Sequence, residues 1–178
     1  MTDNTIASRY QATLDRIAEA CQRAGRSRED VTLMVVTKFH PLDDVLELVR
    51  LGVRTFGENR EQEARQKAHD LLEHDAVEHV LAGTPAEWSM IGQLQRNKCN
   101  AVARWAHSVH SVDSVPLVKG LERGMQRALD DGSRRIHNWV CIYRSVWMEI
   151  LRVVEHWRVT SQNLLILSTT PTISFYAG

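Results

Sequence analysis

The sequence predicts an α/β fold built on a parallel sheet. Two observations carry this reading. Four short apolar runs of strand length are each followed by a segment with helical three- and four-residue spacing, and one helical segment precedes them all. Strands that alternate with helices form right-handed βαβ units, so their strands run parallel. An open doubly wound sheet and a (β/α)8 barrel both satisfy this order. The dinucleotide fingerprint GxGxxG follows none of the strands, which disfavours a nucleotide-binding Rossmann domain.

The first helix spans residues 6–25, where Ile6, Tyr10, Leu14, Ile17 and Cys21 recur at helical spacing and Gly25 stops it. VTLMVVTK (31–38) is a continuous apolar run, the pattern of a strand buried on both faces. Pro41 can start a helix through residues 42–51, with Gly52 ending it. VRTFGEN (53–59) reads as a second strand, and residues 60–72 as a polar helix with a narrow apolar stripe. EWSMIG (87–92) is a third strand, followed by a helix over 93–106. AHSVHSVDS (106–114) alternates like a fourth strand, and residues 115–129 resume helical spacing.

Composition narrows the function classes. The 178 residues suffice for one domain with a real core. The 22 basic and 22 acidic side chains cancel, which leaves no electrostatic case for nucleic acid or an anionic membrane. No stretch approaches the roughly 18 to 20 apolar residues that span a bilayer. The opening residues contain no apolar run of the kind a secretory signal needs. Three cysteines, Cys21, Cys99 and Cys141, form no CxxC pair, which fits a reducing cytoplasm. The eight histidines make no metal-ligand spacing, and no serine sits in a GxSxG elbow.

Chemistry in such folds collects at the carboxyl ends of the strands. Those ends carry Thr37 and Lys38, then Gly57, Glu58 and Asn59, then Ile91 and Gly92, then Ser111, Val112, Asp113 and Ser114. A partly desolvated lysine is a nucleophilic amine suited to Schiff-base chemistry. A surface lysine that ends a strand and reaches into water has the same pattern. Asn59 could hydrogen-bond a ring substituent, and Gly92 would let a flat ligand approach the backbone. Glu58 reads equally as a solvated loop carboxylate, and His107 and His110 as structural. Arg96 or Lys98 could meet an anion, or simply begin a solvated helix.

Four segments in order and spacing, VVTKFHP, GVRTFGENREQEA, WSMIGQLQRNK and VHSVDS, resemble the pyridoxal phosphate homeostasis proteins (the YggS family). The resemblance covers about residues 5 to 135. It implies a (β/α)8 barrel like that of alanine racemase. Lys38 matches the lysine that carries pyridoxal 5′-phosphate as a Schiff base, and Asn59 falls in the family's FGEN motif beside the cofactor. Gly92 and Ser111 complete the cofactor-binding set this implies. The family binds and passes on its cofactor without robust turnover, so PLP-dependent apoenzymes are the implied partners. A PLP-dependent racemase and an inactive fragment are the alternatives. The family commonly has WHFIG where this chain has Ser89 and Met90 within WSMIG.

Only the first four βα units are present, and residues 139–178 form an aberrant tail. Residues 139–177 hold no Lys, Asp or Gly, yet three of the five tryptophans. The family's phosphate-holding Gly-Met-Ser and Arg-Xaa-Gly segments are absent from 139–178. An unclosed sheet would leave the first and fourth strands with unpaired edges, which invite self-association. A back-translation of residues 139–156, read one base earlier, yields an alternating strand followed by a glycine-containing loop. A frameshift between about Arg134 and Trp139 would explain both the composition and that string; a genuine divergent helix through WMEILRVVEHW (147–157) is the alternative. Sequencing the coding DNA across this point should find the shifted frame continuing in family-like sequence; stop codons or unrelated sequence there would refute the frameshift.

Overall fold

The first described helix is secured by the residue just before it. Thr5 accepts the Ser8 N–H at 3.2 Å and opens α1 (Ile6–Arg23), and Gly25, at φ +63°, ends it in the left-handed conformation that glycine adopts without strain. The computed structural model describes residues 5–74, 81, 84–134, 140–143, 164–168 and 173–174. Next come β1 (Thr32–Val36), α2 (Leu42–Arg50), β2 (Thr55–Glu58) and α3 (Glu61–Leu72). They are followed by β3 (Glu87–Met90), α4 (Cys99–Trp105), β4 (Ser108–Val112) and α5 (Val115–Asp130). Each predicted strand and helix is present, with trimmed ends. The helix expected over 93–106 starts at Cys99, because Arg96–Lys98 form a tighter 3₁₀ turn. In α2, Asp43 and Asp44 lie in the first turn and Arg50 in the last, each complementing the helix dipole.

The four strands pair in parallel in sequence order, giving the half-barrel. Val35 and Val36 oppose Phe56 and Gly57, Thr55 to Glu58 oppose Glu87 to Met90, and Ser89 and Met90 oppose Ser108 and Val109. Neither outer strand is an edge, which corrects the expectation of two unpaired flanks. β5 (Val140–Tyr143) pairs in parallel with β4, and β6 (Leu164–Ser168) pairs in parallel along all five residues of β1. β7 (Ile173–Ser174) closes antiparallel on β6. The physical reason is local. A strand's free N–H and C=O groups are satisfied by extended backbone whatever its side chains.

Strand alternation then assigns the two faces of the sheet. Val35, Phe56 and Trp88 pack with α2 and with Ala68 and Leu71 of α3; the Phe56 and Trp88 rings lie 5.1 Å apart. Met90 and Val109 pack with α4 and α5 in a second cluster, which Val112 joins past a shift of register in the β4 ladder. These helices press closely: a β-carbon at Gly124 would lie 2.9 Å from the Cys99 carbonyl oxygen. Arg134 caps the end of α4 by donating to the Ala103 and Ala106 carbonyls at 3.1 and 2.6 Å.

Candidate functional site

Parallel pairing brings the carboxyl ends of β1 to β4 side by side, and three of the four predicted residues join in one row. The Ile91 N–H donates to the Glu58 carbonyl at 2.9 Å. This draws Gly92 onto Asn59 so closely that a β-carbon at 92 would lie 2.8 Å from Asn59 Cα. Ser111 Oγ donates to the Gly92 carbonyl from the next strand. Glycine at 92 is therefore a packing requirement. Lys38 lies beside this row without bonding into it, next to Thr37, whose N–H donates to the Gly57 carbonyl at 3.1 Å. Its side chain is half-buried, and its amine has no hydrogen bond or ion pair with a described residue.

Glu58 is no solvated loop carboxylate. It is fully buried on the helix side of the sheet, at the centre of a polar network. Its Oε1 accepts from Thr37 Oγ1 at 2.8 Å and from Lys67 Nζ at 2.9 Å. Lys67 also donates to the Thr37 carbonyl at 2.7 Å and to Glu63 Oε1 at 2.8 Å, which uses its full donor capacity. Glu63 Oε1 in turn accepts the Phe39 N–H at 2.7 Å. Phe39 sits at φ +65°, a left-handed conformation rare for a bulky residue, with the Arg60 guanidinium 5.0 Å above its ring. The network thus fixes the backbone immediately before and immediately after Lys38. The pleat sends Thr37 and Glu58 toward the helices, and Lys38 and Asn59 follow in the turn and the bend just beyond the two strands.

Burial pushes the Glu58 carboxyl above its usual range, against the hydrogen bonds from Lys67 and Thr37 that lower it. Its Oε2 is buried with no hydrogen-bond partner. The Glu63 carboxyl lies below its usual range: partial burial raises it, but the bonds from Lys67 and the Phe39 N–H outweigh that. Lys67 escaped the sequence reading, although a signal was there. Ala64, Lys67, Ala68 and Leu71 share the spacing of one buried helical stripe, and a lysine inside such a stripe needs a partner.

Polar side chains also meet on the face opposite the helices. Ser108 Oγ donates to Ser89 Oγ at 2.7 Å, and His110 Nε2 lies 2.9 Å from Ser108 Oγ. Burial, aided by His107, pushes the His110 pKa down to about 4, so the ring is neutral at pH 7. This agrees with a structural histidine. Among the described residues no cluster of His, Cys, Asp and Glu has the makings of a metal site.

Two measurements check this geometry. Lys67→Met leaves Glu58 as an unpaired buried carboxyl and should cost about 3–5 kcal/mol in urea unfolding, with much of the loss restored by adding Glu58→Leu. A loss within about 0.5 kcal/mol would mean that the pair does not hold α3 to the sheet. His110 acts through pH. Its folded pKa lies below its ordinary 6.5, so the unfolded chain takes up a proton first as pH falls. Stability should drop by roughly 3 kcal/mol between pH 6.5 and 4, and His110→Gln should flatten that part of the curve.

No protein-family model matches the chain. Among curated proteins it is 43% identical over 132 residues to the pyridoxal phosphate homeostasis protein of Mycobacterium tuberculosis (strain ATCC 25618 / H37Rv), which covers 74% of this chain and 51% of that protein. Its fold matches a crystal structure of an unknown protein from Bifidobacterium adolescentis, with a TM-score of 0.64 and 34% identity over 76% of this chain and 53% of that one. It also matches PipY of Synechococcus elongatus PCC7942 with PLP bound, with a TM-score of 0.57 and 25% identity over 88% of this chain and 72% of that one. The chain spans about half the length of the curated relatives it matches. In fold, and in sequence over about three-quarters of its residues, it is similar to the pyridoxal phosphate homeostasis proteins.

Proposed function

We propose that this chain is a pyridoxal 5′-phosphate-binding protein of cofactor homeostasis, with Lys38 as the attachment residue. One observation supports the reading: a half-buried amine with no competing partner among the described residues stands just past a strand's carboxyl end, on backbone held at both sides by the Glu58–Lys67–Glu63 network. When bound, the cofactor supplies an aldehyde for reversible covalent attachment to a primary amine. The residues present fit that end of the molecule. Lys38 would hold it, Asn59 would orient the ring through a hydrogen bond, and Gly92 would let the ring lie flat against the backbone. Ser111 would act through Gly92, whose carbonyl its hydroxyl binds. Glu58 and Lys67 meet between the sheet and α3, so they position Lys38 and take no part in the attachment.

The phosphate end is less well served. The family's two anion-holding segments are missing from residues 139–178, and charge-assisted hydrogen bonds contribute roughly 1.5–3 kcal/mol each. Binding in this chain is accordingly weak. We read residues 1–138 as the family's barrel segment and residues 139–178 as an out-of-frame or divergent tail. The composition break and the 132-residue extent of the match support that division. The partners are the cofactor and the apoenzymes that take it up. The cytoplasm is the compartment that suits them. Among the described residues, no helix is long and apolar enough to cross a membrane.

A pyridoxal phosphate titration followed by visible absorbance, with borohydride trapping and peptide mapping, tests the reading. A saturable band that traps on Lys38 and disappears in Lys38→Ala is expected. Labelling spread over surface lysines, unchanged in that variant, would overturn it.

A further inference from the structure

A second site lies on the outer side of the same strand ends. Residues 95–97, leaving β3, and the first half of α5 enclose a groove of about 840 Å³, a volume suited to a small molecule. Arg96, Lys119 and Arg123 line it together with the amides of Gln95 and Asn97, and no carboxylate does. The chain as a whole is neutral, so this one-sign lining is a local concentration of charge. All three cations are exposed, and none makes a hydrogen bond or ion pair with a described residue. The adjacent Lys98 differs, turning away to Glu61 at 3.8 Å.

Two further features give the groove its shape and its field. Lys119 and Arg123 stand four residues apart on α5, where like charges repel and weaken a helix unless an anion lies between them. Gly120 forms the floor between them, pressed so closely on α4 that a β-carbon there would lie 3.0 Å from Cys99 Sγ. Arg123 and Arg96 both act on that buried thiol, which burial raises and the two guanidinium groups lower. The 3₁₀ turn and α5 therefore bring their cations over one floor.

We propose that this groove binds a small, multiply charged phosphate compound, a polyphosphate or phosphate ester, held by Arg96, Lys119 and Arg123. Arginine offers paired donors to phosphate oxygens, lysine a point charge, and the two amides further donors.

Calorimetric titration of the full chain with inorganic pyrophosphate tests the assignment. The expected result is saturable one-site binding that weakens with added salt, falls at least tenfold in Arg123→Ala or Lys119→Ala, and is kept in Lys119→Arg. Circular dichroism should show all these variants folded, because the substituted side chains are exposed. Lys38→Ala should leave the titration unchanged, which separates this groove from the proposed cofactor site. No saturable binding at millimolar pyrophosphate would overturn the proposal, as would equal binding by the alanine variants. Tighter binding of a short single-stranded oligonucleotide than of pyrophosphate would also overturn it, by making the groove a nucleic-acid surface.

Discussion

The buried pair between Glu58 at the end of β2 and Lys67 on α3 is the constraint on which the rest of the strand-end architecture depends. Removing two ions from water is unfavourable by several kcal/mol each, and only close geometry with further hydrogen bonds offsets it. Lys67 meets that condition with three acceptors at 2.7 to 2.9 Å. Such an arrangement tolerates little displacement. It sets where α3 lies over the sheet and, through the Thr37 carbonyl and the Phe39 amide, how the chain leaves β1. A purely apolar contact at this point would hold the layers together without fixing that exit.

The pleat divides the labour between the two faces. On one face the strands offer Val35, Phe56, Trp88, Met90 and Val109 to the helices, and that apolar burial supplies most of the cohesion. On the other face stand Gly57, Ser89, Ser108 and the small polar cluster with His110. The chemistry proposed for Lys38 needs the helix face and the strand ends together. The helix face holds the backbone in place, and the strand ends carry an amine with no partner among the described residues. The close approach of Gly92 to Asn59 serves the same end by aligning the strand exits in one row.

Much of this was legible in the residues. Alternating runs of strand and helix length gave the correct order, because apolar periodicity reports which face is buried and the helices here are strongly one-sided. Boundaries moved where local geometry intervened, as at Arg96–Lys98, which wind as a 3₁₀ turn ahead of α4. Parallel pairing puts Asn59, Gly92 and Ser111, read from the strand ends, beside one another. Glu58 and Lys67 were not legible as a pair. They lie nine residues apart on different elements, and a carboxylate in a loop-like motif looks solvated until the helix that covers it is placed. The pairing of β6 with β1 was hidden for the opposite reason, since backbone recognition leaves no mark on side-chain pattern.

That last feature has a consequence for how such folds change over time. The ladder between β1 and β6 runs in register over five residues and is made of main-chain groups common to every amino acid. A flank of this kind works as a socket that accepts a strand for its extension and spacing more than for its spelling. Four βα units with two such sockets are a transferable foundation. New sequence can be joined to them, or old sequence rewritten beside them, while the strand exits around Lys38 keep their alignment.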